Sequence, residues 1–289
     1  MPIQENPGTA KQGTSTTFAP TSISGCVLWL DGKDPAGTGT PPSTGSTVST
    51  WTDKATGKNG AATGSPTYVS GGGINFNGSS YFLNQAFSQN LSQRSIFIVM
   101  QETTRGDVRG VFPLIPTPSA GSDFQTITGL SVETSNGLRF YANGGGYFSD
   151  IGNSTLLVKA IYNDNMNTRA GSGFLNGTNA TNVTANYTAG TCSGYGVGAR
   201  WLGSMSTSYA LNGIIYEILF FNTPLSVENR RTIEGYLAQK WSLTASLPAG
   251  HPGLTNNYLT TSTVAIPYPI TSTTRANPKF TITESINPI

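Results

Sequence analysis

Short apolar runs recur along the chain and form its most regular pattern. Segments rich in glycine, threonine, serine and asparagine separate them. Apolar runs of about four to eight residues between turn-forming segments are typical of β-strands. The chain is therefore predicted to be all-β. The clearest runs occupy residues 27–31, 74–76, 81–83, 95–100, 156–162 and 214–221.

Two of these runs support sharper predictions. The run at 95–100 is almost continuously apolar, which predicts a strand that is covered on both faces. In the run at 214–221, alternation assigns the side chains to opposite faces of a strand. One face carries Ile214, Tyr216, Ile218 and Phe220, and the other carries Ile215, Leu219 and Phe221. Glu217 is the one charged residue of this run.

Two Asn-Gly dipeptides mark predicted tight turns. Asn77-Gly78 stands between the runs at 74–76 and 81–83, and predicts a hairpin between them. Asn176-Gly177 ends a second predicted hairpin, whose first strand is 156–162. The cluster at 163–165 is the predicted turn of that hairpin.

One helix is predicted near the C-terminal end of the pattern. Ser226 is placed as its N-cap, with Glu228 in the first turn, and the helix ends near Ser242. An apolar stripe at helical spacing faces the core. It comprises Ile233, Tyr236, Leu237 and Trp241. Lys240 suits the negative C-terminal end of the helix.

The two ends of the chain differ from the middle. Residues 1–22 are polar, and residues 253–289 are rich in proline, threonine and serine. We therefore predict one domain at 23–252 and an extended arm on either side of it. The first residues contain no apolar stretch of the secretory kind, so no secretory signal is expected.

Composition excludes two classes of partner. Charged residues make up 10% of the chain and the formal net charge is +2, with the basic residues scattered. Nucleic-acid binding requires a clustered basic face, so nucleic acid is not expected. No stretch approaches the roughly 20 apolar residues of a membrane-spanning helix, so a membrane span is not expected.

Several segments resemble concanavalin A-like, or laminin-G-like, domains. Residues 74–82 resemble the family's hairpin of the form apolar-x-Phe-x-Gly-x-x-x-aromatic, and residues 156–177 its hairpin ending in Asn-Gly. Gly198-Ala199-Arg200 is similar to the Gly-x-Arg that comes next in the family, and residues 211–226 to the closing strand and capped helix. The stretch 235–252 is the most specific. It resembles a variant found in bacterial surface proteins and in virion proteins of large DNA viruses.

The resemblance implies a fold and a set of functions. The fold is a concanavalin A-like β-sandwich, or jelly roll, with one short C-terminal helix and extended terminal arms. The first function expected is that of a capsid or capsid-surface protein in the virion, whose arms contact other shell proteins in an oligomeric assembly. The alternative is a carbohydrate-binding or adhesion module at a cell surface. A divergent glycoside hydrolase is a third hypothesis.

Catalytic motifs are scarce, and the sequence predicts a protein that is not an enzyme. Glycosidases use two carboxyl groups, and hydrolases of this fold place them on one strand at a spacing absent here. Glu217 is expected to be a structural partner of an arginine. His251, the one histidine, lies in a proline-rich loop without a serine or cysteine nucleophile motif. Zinc is not expected, and no cofactor other than calcium is supported.

The resemblance also suggests ligand-binding residues, each with a structural alternative. The candidate calcium ligands are Asp31, Asp34 and Asp53, or alternatively the cluster at 163–165. For both sets the structural alternative is a turn residue that bonds its own backbone. The candidate carbohydrate-binding aromatics at the rim lie in glycine- and serine-rich segments that are predicted to be loops; the alternative is that they are core residues. They are Tyr147, Tyr195, Trp201 and Tyr209.

Asn-x-Ser/Thr sequons supply the candidate glycosylation sites, and the alternative is that these triplets occur by chance. The candidates are Asn176, Asn179, Asn182 and Asn186. Cys26 and Cys192 are either a disulfide or two core thiols.

Overall fold

The protein is an all-β sandwich with one α-helix, described from a computed structural model. The structure describes residues 17–90, 93–104, 108–117, 121–122, 129–133, 137–141, 157–165, 170–184 and 190–259. The strands are β1 (Cys26–Asp31), β2 (Thr50–Thr52), β3 (Asn59–Thr63), β4 (Thr67–Tyr68), β5 (Ile74–Asn77), β6 (Tyr81–Asn84), β7 (Gln89–Asn90), β8 (Gln93–Glu102), β9 (Arg109–Pro116), β10 (Gly129–Glu133), β11 (Gly137–Tyr141), β12 (Leu157–Asn165), β13 (Ala170–Leu175), β14 (Thr178–Thr184), β15 (Thr191–Val197), β16 (Arg200–Trp201), β17 (Met205–Ser206) and β18 (Asn212–Phe221). The helix is α1 (Val227–Lys240), and short 3-10 turns occur at Pro20–Ser22, Thr207–Tyr209, Thr244–Ser246 and Pro252–Leu254.

The strands form two antiparallel sheets and one small hairpin. The helix-side sheet has the order β14-β13-β12-β8-β18-β5-β4, and β1 also pairs with β18. The opposite sheet has the order β11-β10-β9-β15-β6-β3-β2, and β7 also pairs with β15. The hairpin joins β16 to β17. These observations confirm the predicted all-β sandwich.

Two apolar clusters give the fold three layers. The main core lies between the sheets, where Ile98 and Ile218 of the helix-side sheet join Phe82 and Phe112 of the opposite sheet. The second cluster lies on the outer face of the helix-side sheet, where α1 covers residues such as Phe97. Strand β8 contributes to both clusters, which confirms the prediction that the run at 95–100 is covered on both faces.

The Asn77-Gly78 turn connects the two sheets rather than two neighbouring strands. Strand β5 pairs with β18 and β4, whereas β6 pairs with β15 and β3. The predicted hairpin is therefore wrong, although the tight turn is present, with Gly78 at a φ of 81°. Turn chemistry fixes the local backbone, and the partners of the flanking strands are chosen by distant residues.

The second Asn-Gly dipeptide ends the predicted hairpin, whose strands β12 and β13 pair antiparallel. Asn176 and Gly177 join β13 to β14, which pair antiparallel. Their φ values are 46° and 80°, the left-handed conformation that a two-residue hairpin turn requires. Residues 163–165 belong to β12 rather than to a turn, so that part of the prediction is wrong. The link from β12 to β13 falls outside the described residues.

A bulge in β18 redirects the side chains that precede its apolar end. Ile215 pairs with Met100 and Glu217 pairs with Val99, so two residues of β18 oppose one step of β8. As a result Ile215 faces the main core with Ile218, and Tyr216 packs against the helix-side cluster. The predicted faces are therefore wrong for Ile215 and Tyr216, because the extra residue of the bulge interrupts the strict alternation of side chains along β18.

The bulge places the Glu217 carboxylate between the sheet and α1, with no exposed surface. Its oxygens accept hydrogen bonds from the indole nitrogens of Trp29 and Trp241, each at 2.7 Å, and from the Tyr236 hydroxyl at 3.1 Å. The Lys240 ammonium lies 2.9 Å away. The predicted partner was an arginine, so that prediction is wrong. Burial raises the pKa of Glu217, an effect that Lys240 opposes.

Lys240 begins a chain of alternating charges, here called the acid–lysine chain. Its ammonium contacts Asp31 at 2.8 Å, and the Lys54 ammonium contacts Asp31 at 3.2 Å and Asp34 at 3.1 Å. Burial acts to raise the pKa of Asp31, but the two lysines outweigh it and hold that pKa below its usual value. Each carboxylate of the chain is thus paired with an ammonium group.

The helix begins and ends close to the predicted residues. The Ser226 hydroxyl accepts a hydrogen bond from the Asn229 N–H at 3.1 Å, which confirms the predicted N-cap. The predicted apolar stripe packs on the sheet. Within the described ranges, no helix is long and apolar enough to cross a membrane.

We predict that Glu217→Gln lowers the free energy of unfolding by about 3 kcal/mol, because the amide leaves one indole donor and Lys240 without their anionic acceptor. Chemical denaturation measures the loss. Glu228→Gln, at an exposed position in the first turn of α1, is the matched control and should cost less than about 1 kcal/mol. Equal effects of the two substitutions would show that the Glu217 contacts carry no special weight.

We also predict a pH-dependent contribution from Asp31. Its folded pKa lies below its unfolded value of about 3.9, so its stabilising effect is fully present above that pH and is lost as pH falls through the folded pKa. The difference in unfolding free energy between the native chain and Asp31→Asn should therefore be largest near neutral pH and shrink in acid. Denaturant titrations across the acid range measure it, and a difference independent of pH contradicts the pairing.

Candidate functional site

The three aspartates predicted as calcium ligands are engaged by groups of the protein. Asp31 and Asp34 belong to the acid–lysine chain. Asp53 accepts hydrogen bonds from the Trp29 N–H at 2.8 Å, from the Ala55 N–H at 2.9 Å and from the Thr56 hydroxyl. Burial raises the pKa of Asp53, against these hydrogen bonds.

Calcium binding stays a prediction. Among the described residues, no group of three or more His, Cys, Asp and Glu side chains could hold a metal ion. Lys54 and Lys240 occupy the space beside Asp31 that a cation would take. The side chains of the second candidate, residues 163–165, lie outside the described set.

Two of the four predicted rim aromatics are buried residues. Tyr195 on β15 has no exposed surface and Trp201 on β16 has 4%. A glycan cannot reach either ring, so both are wrong as rim residues. Tyr209 is half-buried, and the Arg200 guanidinium lies 5.7 Å from its ring centroid. Tyr147 falls outside the described residues.

The predicted glycosylation sites also differ in exposure. The Asn176 side chain is 9% exposed and accepts a hydrogen bond from the Val158 N–H at 2.8 Å. It is therefore wrong as a glycan acceptor, because its amide serves the hairpin. Asn179 is exposed. The side chains of Asn182 and Asn186 lie outside the described set.

The two cysteines are free thiols rather than a disulfide. Burial raises the pKa of Cys26 to about 12 and that of Cys192 to about 11. Both thiols are therefore protonated near neutral pH and are poor nucleophiles.

A groove beside the C-terminal end of α1 was not predicted from the sequence. It has a volume of about 680 Å³ and is open to solvent. That volume lies within the range of about 300–1,000 Å³ that is typical of small-ligand sites. Amide, hydroxyl and aliphatic side chains line it, among them Gln239, Thr244, Leu254, Asn256, Asn257 and Leu259. Leu254 and Leu259 are exposed, at 47% and 39%.

The Gln239 side chain holds the loop that forms one wall of the groove. Its Nε2 donates to the carbonyl oxygen of Gly253 at 2.9 Å and to that of Asn256. Its Oε1 accepts a hydrogen bond from the Tyr258 N–H at 2.9 Å. One side chain thus provides hydrogen-bond partners for three backbone groups of a loop that pairs with no β-strand. These bonds fix the path of the loop backbone.

His251 anchors the start of the same loop. Its Nδ1 accepts a hydrogen bond from the Gly253 N–H at 3.0 Å, so its Nε2 carries the proton and donates to Glu234 at 3.3 Å. Glu234 is also held by Arg230 at 2.6 Å, and the Arg230 guanidinium stacks 3.9 Å from the Phe174 ring centroid. His251 therefore has a structural role linking the loop, α1 and β13.

Two glycines allow the loop to lie directly on the helix. A Cβ added to Gly235 would lie 2.6 Å from Tyr258 Cε2 and 2.8 Å from Gly253 Cα. A Cβ added to Gly253 would lie 2.6 Å from Gly235 Cα. Both contacts are shorter than van der Waals contact, so only glycine fits at either position.

Residues 235–252 were prominent in the sequence as the most specific part of the resemblance. The structure explains why they stand together, since Gly235, Gln239 and His251 each position the loop of the groove. Lys240 and Trp241 hold the opposite side of the helix through Glu217. The signal for the groove was present, but the sequence does not reveal which backbone groups these side chains bind.

Comparisons with known proteins support the fold and leave the family open. No protein-family model matches the chain, and no curated protein matches it in sequence. A Trypanosoma rangeli sialidase solved with sialic acid matches at a TM-score of 0.51 and 12% identity, over 75% of this chain and 33% of the sialidase. A botulinum neurotoxin type C structure, described with cell entry dependent on two ganglioside molecules, matches at 0.51 and 13%, over 74% and 51%.

These structural similarities contradict one prediction. For the other predictions they support only the fold. The prediction that the chain is not an enzyme is contradicted, because solved structures with this fold include sialidases. At 12–13% identity the likeness establishes the fold alone. The chain also spans about a third of the sialidase and about half of the neurotoxin chain.

We predict that Gly235→Ala destabilises the protein by about 1–3 kcal/mol, the cost of overpacking. Glycine to alanine inside a helix normally stabilises by up to about 1 kcal/mol, so the sign of the effect is diagnostic. Thermal denaturation measures it. Gly190→Ala is the matched control, because an added Cβ there meets nothing within 4 Å. A stabilised Gly235→Ala protein would mean that the loop does not lie on α1 as described.

Proposed function

We propose that this protein is a carbohydrate-binding module and that the groove beside α1 holds the glycan. The observation that carries the proposal is the groove itself, in which amide and hydroxyl groups stand next to two exposed leucines. Sugars present hydroxyl groups on their edges and C–H groups on their faces. Side chains such as Asn256 and Thr244 can donate and accept hydrogen bonds, while Leu254 and Leu259 cover apolar surface.

The rigidity of the groove supports the same function. Gln239 and His251 fix the loop by hydrogen bonds to its backbone, and Gly235 brings it against the helix. A wall that is ordered before the ligand arrives does not lose conformational freedom on binding. Weakly interacting ligands such as sugars gain most from such a preformed site.

The solved structures with this fold add circumstantial support. The sialidase was solved with sialic acid, and the neurotoxin depends on gangliosides for cell entry. Sugars are therefore bound by proteins that contain this sandwich, at sites that the comparison does not transfer to this chain. The proposal concerns binding and makes no claim against catalysis.

The capsid role predicted from the sequence has less support. Neither the sialidase nor the neurotoxin is a virion protein. That role depends on the segments 1–22 and 253–289, of which residues 1–16 and 260–289 lie outside the described set. Within the described part, Phe18 packs on Tyr236 and Tyr258 of the same chain. The arms, the domain boundaries, the shell partners and the location in a virion or at a cell surface stay predictions.

We predict that the full chain binds a subset of glycans on an immobilised array, and that Ala245→Trp weakens this binding at least about tenfold. Ala245 lines the groove and is exposed, so the indole fills the site without entering the core. Val227→Trp, at a position 57% exposed at the other end of α1, is the control and should bind as the native chain does.

Two outcomes contradict the proposal in different ways. If the array shows no glycan bound by the native chain, the protein is not a carbohydrate-binding module of the kind proposed. If Ala245→Trp binds as the native chain does while Tyr209→Ala loses binding, the site is the rim at Tyr209 and the groove is wrong. Thermal denaturation of each variant separates lost binding from lost folding.

A further inference from the structure

We infer that the groove selects uncharged glycans and discriminates against glycans that present a carboxylate, sulfate or phosphate to it. The inference rests on the proposed function and names the ligand class of the same site. Its basis is the distribution of charge around the groove, which is independent of the groove's volume and rigidity.

The described lining of the groove contains no ionisable side chain. It consists of amides, hydroxyls, aliphatic groups and glycine backbone. Proteins that bind anionic groups use arginine or lysine, whose charge-assisted hydrogen bonds are about twice as strong as neutral ones. Such groups are missing from the described walls, so an anion would meet only neutral donors there.

The cationic side chains of the neighbouring helix are committed elsewhere. Arg230 binds Glu234, and Arg231 donates to the carbonyl oxygen of Gly250 at 2.7 Å. Lys240 follows Gln239 in sequence, but its ammonium turns to Asp31 and Glu217 on the sheet side of α1. All three cations of α1 therefore have partners, and none of them lines the groove.

The physical consequence is a difference in affinity between matched ligands. Moving a charged group from water against Leu254 and Leu259 removes solvation that neutral donors repay only in part. A neutral sugar loses only hydroxyl solvation, and the amides of the lining can replace it. The expected ligand is thus unlike the sialic acid of the sialidase complex, because sialic acid carries a carboxylate.

The test compares pairs of glycans that differ by one acidic group. The array carries neutral oligosaccharides, including lactose, beside their sialylated and sulfated counterparts, and isothermal titration of the full chain gives the affinities. We expect every neutral member that binds to be favoured over its acidic counterpart by at least about tenfold. We also expect that affinity changes little with salt, because no ion pair forms.

A charge-insertion variant makes the test sharper. Ala245→Lys places an ammonium at the exposed edge of the groove, and Ala245→Gln is the neutral control of similar length. The lysine variant should narrow or reverse the preference for neutral glycans and introduce salt dependence, and the glutamine variant should do neither. Thermal denaturation confirms that both variants fold.

The outcomes distinguish this inference from the proposed function. Tighter binding of the acidic members by the native chain, or salt-sensitive binding, overturns the inference and leaves a carbohydrate-binding protein. An unchanged preference in Ala245→Lys also overturns it, because selection would then arise outside the groove. Absence of binding to any glycan overturns the proposed function and this inference with it.

Discussion

The buried carboxylate of Glu217 is the constraint on which the arrangement of the layers depends. A carboxylate taken out of water costs several kcal/mol unless its partners replace the lost solvation. Here two indoles, a hydroxyl and an ammonium do so, and they come from β1, from α1 and from Trp241, the residue that follows α1. Apolar contacts between helix and sheet would tolerate small shifts, but directional bonds to one carboxylate do not. The bulge in β18 aims that carboxylate at the helix.

The shape of the groove depends on the same fixed helix. Consecutive residues at the C-terminal end of α1 point to different sides. Gln239 therefore binds the 253–258 loop, while Lys240 and the following residue, Trp241, bind on the sheet side. A shift of the helix that disturbed Glu217 would move Gln239 and the loop together. The shape of the groove and the packing of the sandwich are thus coupled through one helical turn, although no lining residue of the groove belongs to either apolar cluster. Stability and ligand binding are therefore expected to respond together to changes at Glu217.

Sequence reasoning succeeded where the determinants are local. The Ser226 cap, the strand at 95–100 and the Asn176-Gly177 turn depend on neighbouring residues. It failed at Tyr195, whose glycine-rich surroundings suggested a loop. In the structure those glycines lie in a buried strand and permit close approach, since a Cβ on Gly194 would lie 2.3 Å from the Asn84 carbonyl oxygen. Glycine signals a turn or a tight contact, and the sequence alone does not separate the two.

Residue spacing alone could not exclude an enzyme, because spacing does not show which distant residues the fold brings together. Residue spacing identifies a catalytic carboxylate pair only where both residues lie on one strand. This sandwich instead joins groups that are remote in sequence, such as Trp29 with Glu217, 188 residues apart, and Lys159 with Glu102, 57 apart. A pair of catalytic groups assembled in that way from different strands leaves no local sequence motif. The groove differs, because its described lining comes from one stretch of the chain, residues 239–259. Once the loop is known to form the groove, the sequence itself shows that this described lining has no ionisable side chain.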